Sequence, residues 1–294
     1  MFLLSVLWGG TFFFAAVALR DLPPLTLVLA RVAIAALALV VFIHVRGFRL
    51  PARLVAWRPF VALAMLNNII PFSLIFMAQT QISSALASVL NATTPLFALI
   101  IARVLAAEAL PRATVLGIGI GIVGVAILML GAAAADARPS SLLGMACVLG
   151  AALSYGFSAH AMRRLRHIPP PVAAAAQVCC SSIMLLPVAA WVDRFWDLPA
   201  PSTPTVLAVL ALSLLGTALA YIVFFRISAT AGPSNVMLVT LLIPVTATAL
   251  GTYVLGEALN PGQALGALVV GSGLIIIDGR AVARLRRWAR RPAP

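Results

Sequence analysis

The side chains that could do chemistry are few, and they lie inside long apolar stretches. Amide and hydroxyl groups occur there at Asn67, Asn68, Gln79, Asn91 and Thr94. A polar group at the centre of a bilayer is costly against lipid, so we expect these residues to face a cavity or to bond a neighbouring helix. Neutral donors and acceptors of this kind hold and orient a small molecule.

No group of residues has the spacing of a catalytic or metal site. The histidines are His44, His160 and His167, and none of the seven carboxylates lies at the middle of an apolar stretch. An enzyme that acts on lipids would need converging acids, bases or metal ligands. We therefore expect no catalytic residue, no metal ion and no cofactor, and the sequence does not favour an enzyme.

Two ionisable residues within the apolar stretches have open roles. Arg31 lies about seven residues into the second stretch. It either extends to the outer interface or pairs with a substrate carboxylate or with Asp21. His160 is either a hydrogen-bonded structural histidine or a group that couples transport to protons. Mid-span carboxylates are the usual proton relays, so their absence favours facilitated diffusion, or coupling through His160 alone.

A pocket with apolar walls and few polar groups would suit bulky or aromatic ligands. The aromatic candidates also include Phe12, Phe76 and Phe225, although an aromatic on a membrane helix can equally face lipid. The residues that we predict to bind a substrate are Trp8, Thr11, Asn67, Asn68, Phe72, Gln79, Asn91, Thr94, Tyr155, His160, Tyr221, Met237 and Thr240.

The elements that must position these residues follow from composition. The chain is 63% hydrophobic and 9% charged, with a mean hydropathy of +1.12, which is too apolar for a water-soluble protein of 294 residues. A spanning helix needs about 20 mostly apolar residues. Ten such stretches occur, at 2–19, 25–43, 59–79, 83–105, 113–132, 142–162, 171–190, 205–225, 232–254 and 261–278. The fold class is therefore an all-α integral membrane protein.

The chain contains an internal duplication with an offset of 149 residues. Proline and glutamate are rare in so apolar a chain, which makes a shared offset informative. The matched positions are Pro95 with Pro244, Glu108-Ala109-Leu110 with Glu257-Ala258-Leu259, Gly117 with Gly266, Gly124 with Gly273, and Phe72 with Tyr221. Trp8-Gly9 matches Tyr155-Gly156 at an offset of 147. We assign the first repeat to residues 1–133, the second to 134–278 and a basic tail to 279–294.

The arginines predict the orientation. With a cytoplasmic N-terminus, 16 of the 20 arginines fall in cytoplasmic segments and three in external loops. The positive-inside rule therefore places both termini in the cytoplasm. Five helices per repeat is an odd number, so the second repeat enters the membrane from the opposite side. Inverted repeats of this kind are typical of alternating-access carriers that bind substrate near the midplane.

Pro95 and Pro244 are expected to break their helices, because proline removes a backbone hydrogen bond and clashes with the preceding turn. The freed carbonyls, near Asn91 and Thr240, would then need partners. The two prolines are either hinges beside the substrate or packing kinks.

Other features have structural interpretations. Glu108 and Glu257 are expected at the N-termini of the fifth and tenth helices, where a carboxylate meets the positive end of the dipole. The spacing of Gly117, Gly121, Gly262 and Gly266 predicts close helix packing, inside one chain or at a homodimer seam. The six arginines of the tail are expected to bind anionic lipid. Since the arginines are not clustered on a soluble face, the net charge of +13 does not indicate a nucleic-acid partner.

The inverted five-helix pattern, Trp8-Gly9 in the first helix and the repeated Pro…Glu-Ala-Leu…Gly resemble the EamA family of the drug/metabolite transporter superfamily over the whole chain. Leu7-Trp8-Gly9-Gly10-Thr11-Phe12-Phe13 and the short loops are most similar to the YddG-type amino-acid exporters. The resemblance implies a multi-pass carrier in a bacterial inner membrane that exports amino acids, aromatic ones included. The alternatives are an exporter of drugs, nucleobases or other metabolites, with proton coupling through His160, and a passive channel.

Overall fold

The computed structural model describes residues 2–105, 107–135, 139–165, 167–231 and 233–278. Within these ranges the backbone is helical and contains no β-strand. The α-helices are α1 (Phe2–Ala18), α2 (Pro24–Val45), α3 (Arg58–Ala64), α4 (Ile70–Gln79), α5 (Ser84–Asn91), α6 (Thr94–Leu105), α7 (Arg112–Ala135), α8 (Pro139–Met162), α9 (Pro170–Asp193), α10 (Thr203–Ser213), α11 (Ala220–Ala231), α12 (Pro233–Leu255) and α13 (Pro261–Asp278). Short 3₁₀ turns occupy Leu54–Trp57, Arg163–Leu165 and Phe195–Asp197.

The length and the apolar composition of the helices are those of a multi-pass membrane protein. Among the described residues, eight helical segments are long and apolar enough to cross a bilayer. The helix Phe2–Ala18 is apolar but shorter, and the part of α12 at Leu242–Leu255 is apolar as well. Large apolar side chains on the outer surface are exposed, for example Leu37, Ile183 and Trp191, as expected of side chains that face lipid.

Two spans contain a π-helical segment that the sequence analysis did not predict. Met65–Ile69 joins α3 to α4, and Leu214–Leu219 joins α10 to α11. A π turn widens the helix and leaves backbone carbonyls without their usual donors. Here hydroxyl groups replace those donors, since Ser154 donates to the Leu66 carbonyl at 2.8 Å and Thr217 donates to the Leu212 carbonyl at 3.1 Å.

The two prolines differ in their effect on the helix. The chain leaves the helix at residues 92 and 93, between α5 and α6, and Pro95 follows immediately. The hydroxyls of Thr93 and Thr94 bond the carbonyls three residues back, at 2.6 and 2.7 Å, in competition with the helical ladder. By contrast, α12 runs through Pro244 without interruption, so the break predicted there is wrong.

A difference in sequence explains the intact helix at Pro244. The residues that precede it, Leu241, Leu242 and Ile243, carry no hydroxyl that could compete for the backbone, unlike Thr93 and Thr94. A lone proline then costs the helix one hydrogen bond, which the helix tolerates with a kink.

Glycines set the closest helix contacts. A Cβ atom on Gly117 of α7 would lie 2.7 Å from the Gly273 carbonyl oxygen of α13. The same contact surface includes Gly266, where a Cβ would lie 2.5 Å from Leu128. These glycines therefore pack α7 against α13 within the chain. At Gly121 and Gly262 a Cβ would likewise meet Leu96 and Gly131.

Two further glycines bring paired helices together. A Cβ on Gly9 of α1 would lie 2.6 Å from the Thr246 Cβ on α12. A Cβ on Gly156 of α8 would lie 2.8 Å from Ile101 and 3.1 Å from the Ala98 nitrogen on α6. Trp8 directly precedes Gly9, and Tyr155 directly precedes Gly156. Each helix crossing therefore also fixes the position of the aromatic residue beside its glycine.

The two repeated glutamates do not sit at the helix ends expected for them. Glu257 accepts hydrogen bonds from the backbone nitrogens of Ser84 and Ala85, at 2.9 and 3.1 Å, and from the Ser84 hydroxyl. It therefore caps α5 rather than α13. Glu108 forms an ion pair with Arg163, beyond the end of α8. The hydrogen bond that the Arg163 guanidinium donates to the Glu108 carboxylate raises the pKa of Arg163 above its ordinary value.

Loops at the ends of α1 and α9 are joined through carboxylates. Asp193 accepts from the Thr26 nitrogen and hydroxyl, at 2.7 and 2.9 Å. Asp21 accepts from the nitrogen and hydroxyl of Ser202. The Ser202 hydroxyl, followed by Thr205 and the Ser202 nitrogen, holds the pKa of the Asp21 carboxyl below its ordinary value of 3.8.

Candidate functional site

A cavity of about 430 Å³ lies among the helices, and both π-helical segments contribute to its wall. Its lining includes Trp8 and Thr11 from α1, Tyr155 from α8, and the pair of repeat-related aromatics Phe72 and Tyr221. The predicted substrate-binding residues that line it are Trp8, Thr11, Asn67, Phe72, Gln79, Asn91, Thr94, Tyr155 and Tyr221. Pro95 also lines it.

Of the other four predicted residues, two do not line the cavity and two have side chains outside the described residues. Asn68 is fully buried behind the cavity wall and bonds other helices. His160 is not part of the lining, and its Nδ1 is buried without a hydrogen-bond partner in the described part of the chain. Neither predicted role of His160, a hydrogen-bonded structural histidine or a proton-coupling group, is decided by this nitrogen alone. The side chains of Met237 and Thr240 lie outside the described residues, as does that of Phe225.

The first π segment anchors a polar network on one wall. Asn67 donates to the Tyr221 hydroxyl at 3.1 Å and to Gln177 Oε1 at 3.4 Å, and it accepts from the Ser158 hydroxyl at 3.0 Å. The Tyr221 hydroxyl in turn donates to Asn68 Oδ1 at 3.1 Å. Cavity lining and bonding between helices were the two alternatives predicted for Asn67. The structure shows that Asn67 does both.

Asn68 extends the network into the protein. Its Nδ2 donates to the Ser181 hydroxyl at 2.9 Å, and that hydroxyl donates to the Gln177 carbonyl at 2.8 Å. Both Asn68 and Ser181 have no exposed surface. Satisfied buried networks of this kind rigidify their surroundings, so this wall of the cavity is a fixed element.

Arg31 does not extend to the membrane interface, which was one of its two predicted roles. Its side chain is only 6% exposed and lines the cavity. The guanidinium carbon lies 3.6 Å from the centroid of the Phe72 ring, and Nε donates to the Thr217 hydroxyl at 2.9 Å. The second π segment turns Thr217 toward α2, and this contact holds the arginine inward. Asp21 is bonded to Ser202 instead.

Two amide oxygens on the cavity lining have no hydrogen-bond donor among the described residues. They are Gln79 Oε1 and Asn91 Oδ1, and both atoms are buried. Gln79 Nε2 donates to the Phe12 carbonyl at 2.8 Å. This bond fixes the orientation of the amide and leaves the Gln79 Oε1 atom available to accept. A buried acceptor without a donor is costly, so both oxygens are suited to accept a hydrogen bond from a bound molecule.

Aromatic rings and aliphatic side chains form most of the remaining wall. Trp8 packs against Phe224 with ring centroids 5.7 Å apart. Phe12 and Phe76 line the cavity as well. Arg31 is the one charged side chain among the described lining residues. The arrangement can therefore hold a small molecule with an apolar or aromatic body and a few polar groups.

Residue-by-residue reasoning did not single out several lining residues, namely Ser158, Gln177, Gly216 and Phe224. A signal was available for two of them. Gln177 is an amide within the seventh apolar stretch, as Asn67 is within the third. Ser158 follows Tyr155 by three residues and so shares its helix face.

Comparisons with known proteins agree on the family. The model of the EamA-like transporter family matches residues 1–130 and 142–278. An uncharacterized inner membrane transporter of Escherichia coli, YedA, is 26% identical over 283 residues, which cover 94% of this chain and 89% of YedA. The uncharacterized transporter YoaV of Bacillus subtilis is 23% identical, covering 92% of this chain and 93% of YoaV.

A relative from Salmonella typhimurium, named a probable amino-acid metabolite efflux pump, is 26% identical over 304 residues, with 98% of this chain and 96% of the relative covered. One crystal structure aligns with a TM-score of 0.67 and 20% identity, covering 99% of this chain and 97% of the other. At that identity the likeness concerns the fold alone.

Proposed function

The chain belongs to the EamA-like transporter family, and from that premise we propose that it is a carrier, not an enzyme, which exports amino acids across a bacterial inner membrane. Its substrates include aromatic amino acids, and transport proceeds by alternating access through the central cavity. The relative named a probable amino-acid metabolite efflux pump, which aligns over 98% of this chain, supports the substrate class. The name of YedA supports the inner membrane.

The observation that carries the proposal is the cavity. It offers about 430 Å³, within the usual range for small-molecule sites. Its walls combine the rings of Trp8, Phe72, Tyr155 and Tyr221 with amide groups, and such walls accept apolar side chains of different sizes. The few polar groups suit the constant part that amino acids share.

We also propose that ten spanning helices form two inverted five-helix repeats, residues 1–133 and 134–278, with both termini in the cytoplasm. Repeated backbone features support this arrangement. The π segments begin at Met65 and Leu214, α5 and α12 at Ser84 and Pro233, and α7 and α13 at Arg112 and Pro261. Each pair is separated by 149 residues, the offset of the sequence duplication.

The repeats also reuse a helix crossing. Gly9 brings α1 against α12 just beyond Pro244, and Gly156 brings α8 against α6 just beyond Pro95. A pseudo-two-fold axis that exchanges the repeats would exchange these two crossings. Rocking of one set of crossings against the other would then expose the cavity to either side of the membrane, with Pro95 and Pro244 as hinges.

We propose that transport is facilitative, since the sequence has no mid-span carboxylate to act as a proton relay. A second candidate is an exporter of drugs, nucleobases or other metabolites with proton coupling through His160. The observation behind this candidate is the Nδ1 atom of His160, which is buried and has no hydrogen-bond partner among the described residues.

Uptake into proteoliposomes separates the candidates. Purified protein is reconstituted and given labelled phenylalanine, tryptophan, threonine or methionine, with and without a pH gradient. Saturable uptake that the other amino acids inhibit, and that the gradient leaves unchanged, is the expected result. Uptake that follows the gradient and is lost in His160→Gln would favour the second mechanism. Uptake no greater than in empty liposomes would refute amino-acid transport.

A further inference from the structure

We propose that Arg31 is the receptor for the carboxylate of the substrate, and that the cavity is therefore selective for zwitterionic α-amino acids over their amides and amines. The inference rests on the proposed function and specifies its substrate class. It is carried by the position of Arg31, the bonds that it makes and those that it leaves open.

The contacts of Arg31 fix the base of the guanidinium and leave its outer edge available. Nε is bonded to Thr217, and the flat face lies on the Phe72 ring. The two terminal NH₂ groups have no hydrogen-bond partner within the described residues, although the side chain lines the cavity. The planar fork of an arginine matches the two oxygens of a carboxylate in a bidentate pair.

The charge of the site points to an anionic group as well. Arg31 is 6% exposed, and the lining residues that the structure describes include no aspartate or glutamate. The carboxylates of Asp21 and Asp193 are bonded to Ser202 and Thr26. A buried cation without a counter-ion is strongly unfavourable. A bound carboxylate would supply the missing charge, and a neutral amide would not.

The opposite charge of a zwitterion finds acceptors in the same cavity. Gln79 Oε1 and Asn91 Oδ1 are buried and accept no hydrogen bond from the described residues, and both residues line the site. An ammonium group is the natural donor to amide oxygens of this kind and is also attracted to the face of an aromatic ring such as that of Trp8 or Tyr155. These groups favour an amino acid over a simple carboxylate such as 3-phenylpropionate.

The test uses three ligands that share the same phenyl side chain and differ in their polar head group. Binding of L-phenylalanine, phenylalaninamide and 3-phenylpropionate to the purified full-length protein is measured by intrinsic tryptophan fluorescence. Wild type is expected to bind phenylalanine at least tenfold more tightly than phenylalaninamide. Arg31→Gln should weaken phenylalanine binding by about 10- to 100-fold, the range of hydrogen bonds to a charged group, and should leave phenylalaninamide binding unchanged.

Two more conservative variants distinguish a loss of substrate binding from a general loss of folding. Arg31→Lys retains the charge but not the fork, and its phenylalanine affinity should fall between those of wild type and Arg31→Gln. Thr217→Val retains the guanidinium but removes the acceptor that positions Nε, so a loss of a few-fold is expected for the two carboxylate ligands and none for phenylalaninamide. A uniform loss for all three ligands in these variants would indicate a structural role and overturn the inference.

The remaining outcomes separate this inference from the proposed function. Equal binding of phenylalanine and its amide by wild type would overturn the inference, while amino-acid transport could still stand. Failure to transport any amino acid, together with Arg31-dependent binding of 3-phenylpropionate, would refute the proposed function and support Arg31 as a carboxylate receptor. Absence of binding by any carboxylate would refute both.

Discussion

At the scale of single residues, Tyr221 combines a ring that lines the cavity with a hydroxyl that belongs to the polar network. The substitution Tyr221→Phe separates the two. It leaves the ring and removes the donor to Asn68 Oδ1, so a buried acceptor loses its partner. We expect a loss of about 1–3 kcal/mol in stability, seen as a lower melting temperature in detergent.

The matched control for this change is Tyr253→Phe. Tyr253 is 89% exposed and should tolerate loss of its hydroxyl. If Tyr221→Phe melted at the wild-type temperature, the network around Asn67 and Asn68 would not stabilise the protein as the geometry indicates.

Asp21 provides a prediction for pH. Its pKa in the folded protein is below 3.8, the ordinary value, chiefly because of the Ser202 hydroxyl. A lowered pKa means that the carboxylate adds stability above the unfolded pKa and that this contribution disappears as the pH falls through the folded value. The melting temperatures of wild type and Ser202→Ala should therefore differ at pH 6 and converge at a pH well below 3.8.

The contribution of Asp21 is small, because the carboxyl is at the surface. Asp197→Asn, a change at another exposed carboxylate of the loop between α9 and α10, serves as the control and should not alter the pH profile. A difference between wild type and Ser202→Ala that persisted unchanged at the lowest pH would mean that the serine acts through something other than the charge of Asp21.

Residue-scale reasoning from the sequence identified polar and aromatic groups but not their partners. Most of the predicted substrate-binding residues lie on one cavity, because a polar group at mid-depth must avoid lipid. Arg31 could not be assigned, since the sequence does not show that Thr217 and Phe72 come from other helices to hold it inward. Whether these residues bind a substrate stays a prediction.

At the scale of helices, the crossings at Gly9 and Gly156 should be the least tolerant of added volume. A methyl group at either position would meet the facing helix well inside van der Waals distance. Gly9→Ala and Gly156→Ala should each cost about 1–3 kcal/mol, the usual range for overpacking. The effect is measured as a lower melting temperature and reduced yield of monodisperse protein.

Gly119 in α7 is the matched control for these substitutions. No atom lies within 4 Å of a Cβ added at Gly119. Alanine there should be neutral or slightly stabilising, because it reduces the backbone freedom of the unfolded chain. A Gly119→Ala protein as unstable as Gly9→Ala would show that the close contact at the crossing does not explain the loss.

The helix bounds were largely predictable from the sequence, but irregularities inside the helices were not. Apolar stretches of about 20 residues locate a span because the bilayer sets its length. Hydropathy does not register a π turn, which adds a residue without changing the apolar character of the span. The break beside Pro95 depends on Thr93 and Thr94, so proline alone did not distinguish it from the continuous helix at Pro244.

At the scale of the whole molecule, residues from both halves of the chain line one cavity. Trp8, Asn67 and Phe72 from the first half meet Tyr155 and Tyr221 from the second at a single cavity. The sequence duplication anticipated such an arrangement, because inverted repeats bind substrate where they meet. It could not indicate the size of the cavity or the charge within it, which depend on tertiary packing.

The most direct test fills the cavity and measures transport. Ala159 lines the cavity, whereas Ala146 lies on the same helix, is exposed and is not part of the lining. Saturable uptake of labelled phenylalanine into proteoliposomes is compared for wild type, Ala159→Phe and Ala146→Phe. We expect wild type and Ala146→Phe to transport equally well and uptake by Ala159→Phe to fall below a tenth of the wild-type value. Equal uptake by all three proteins would contradict a central substrate site.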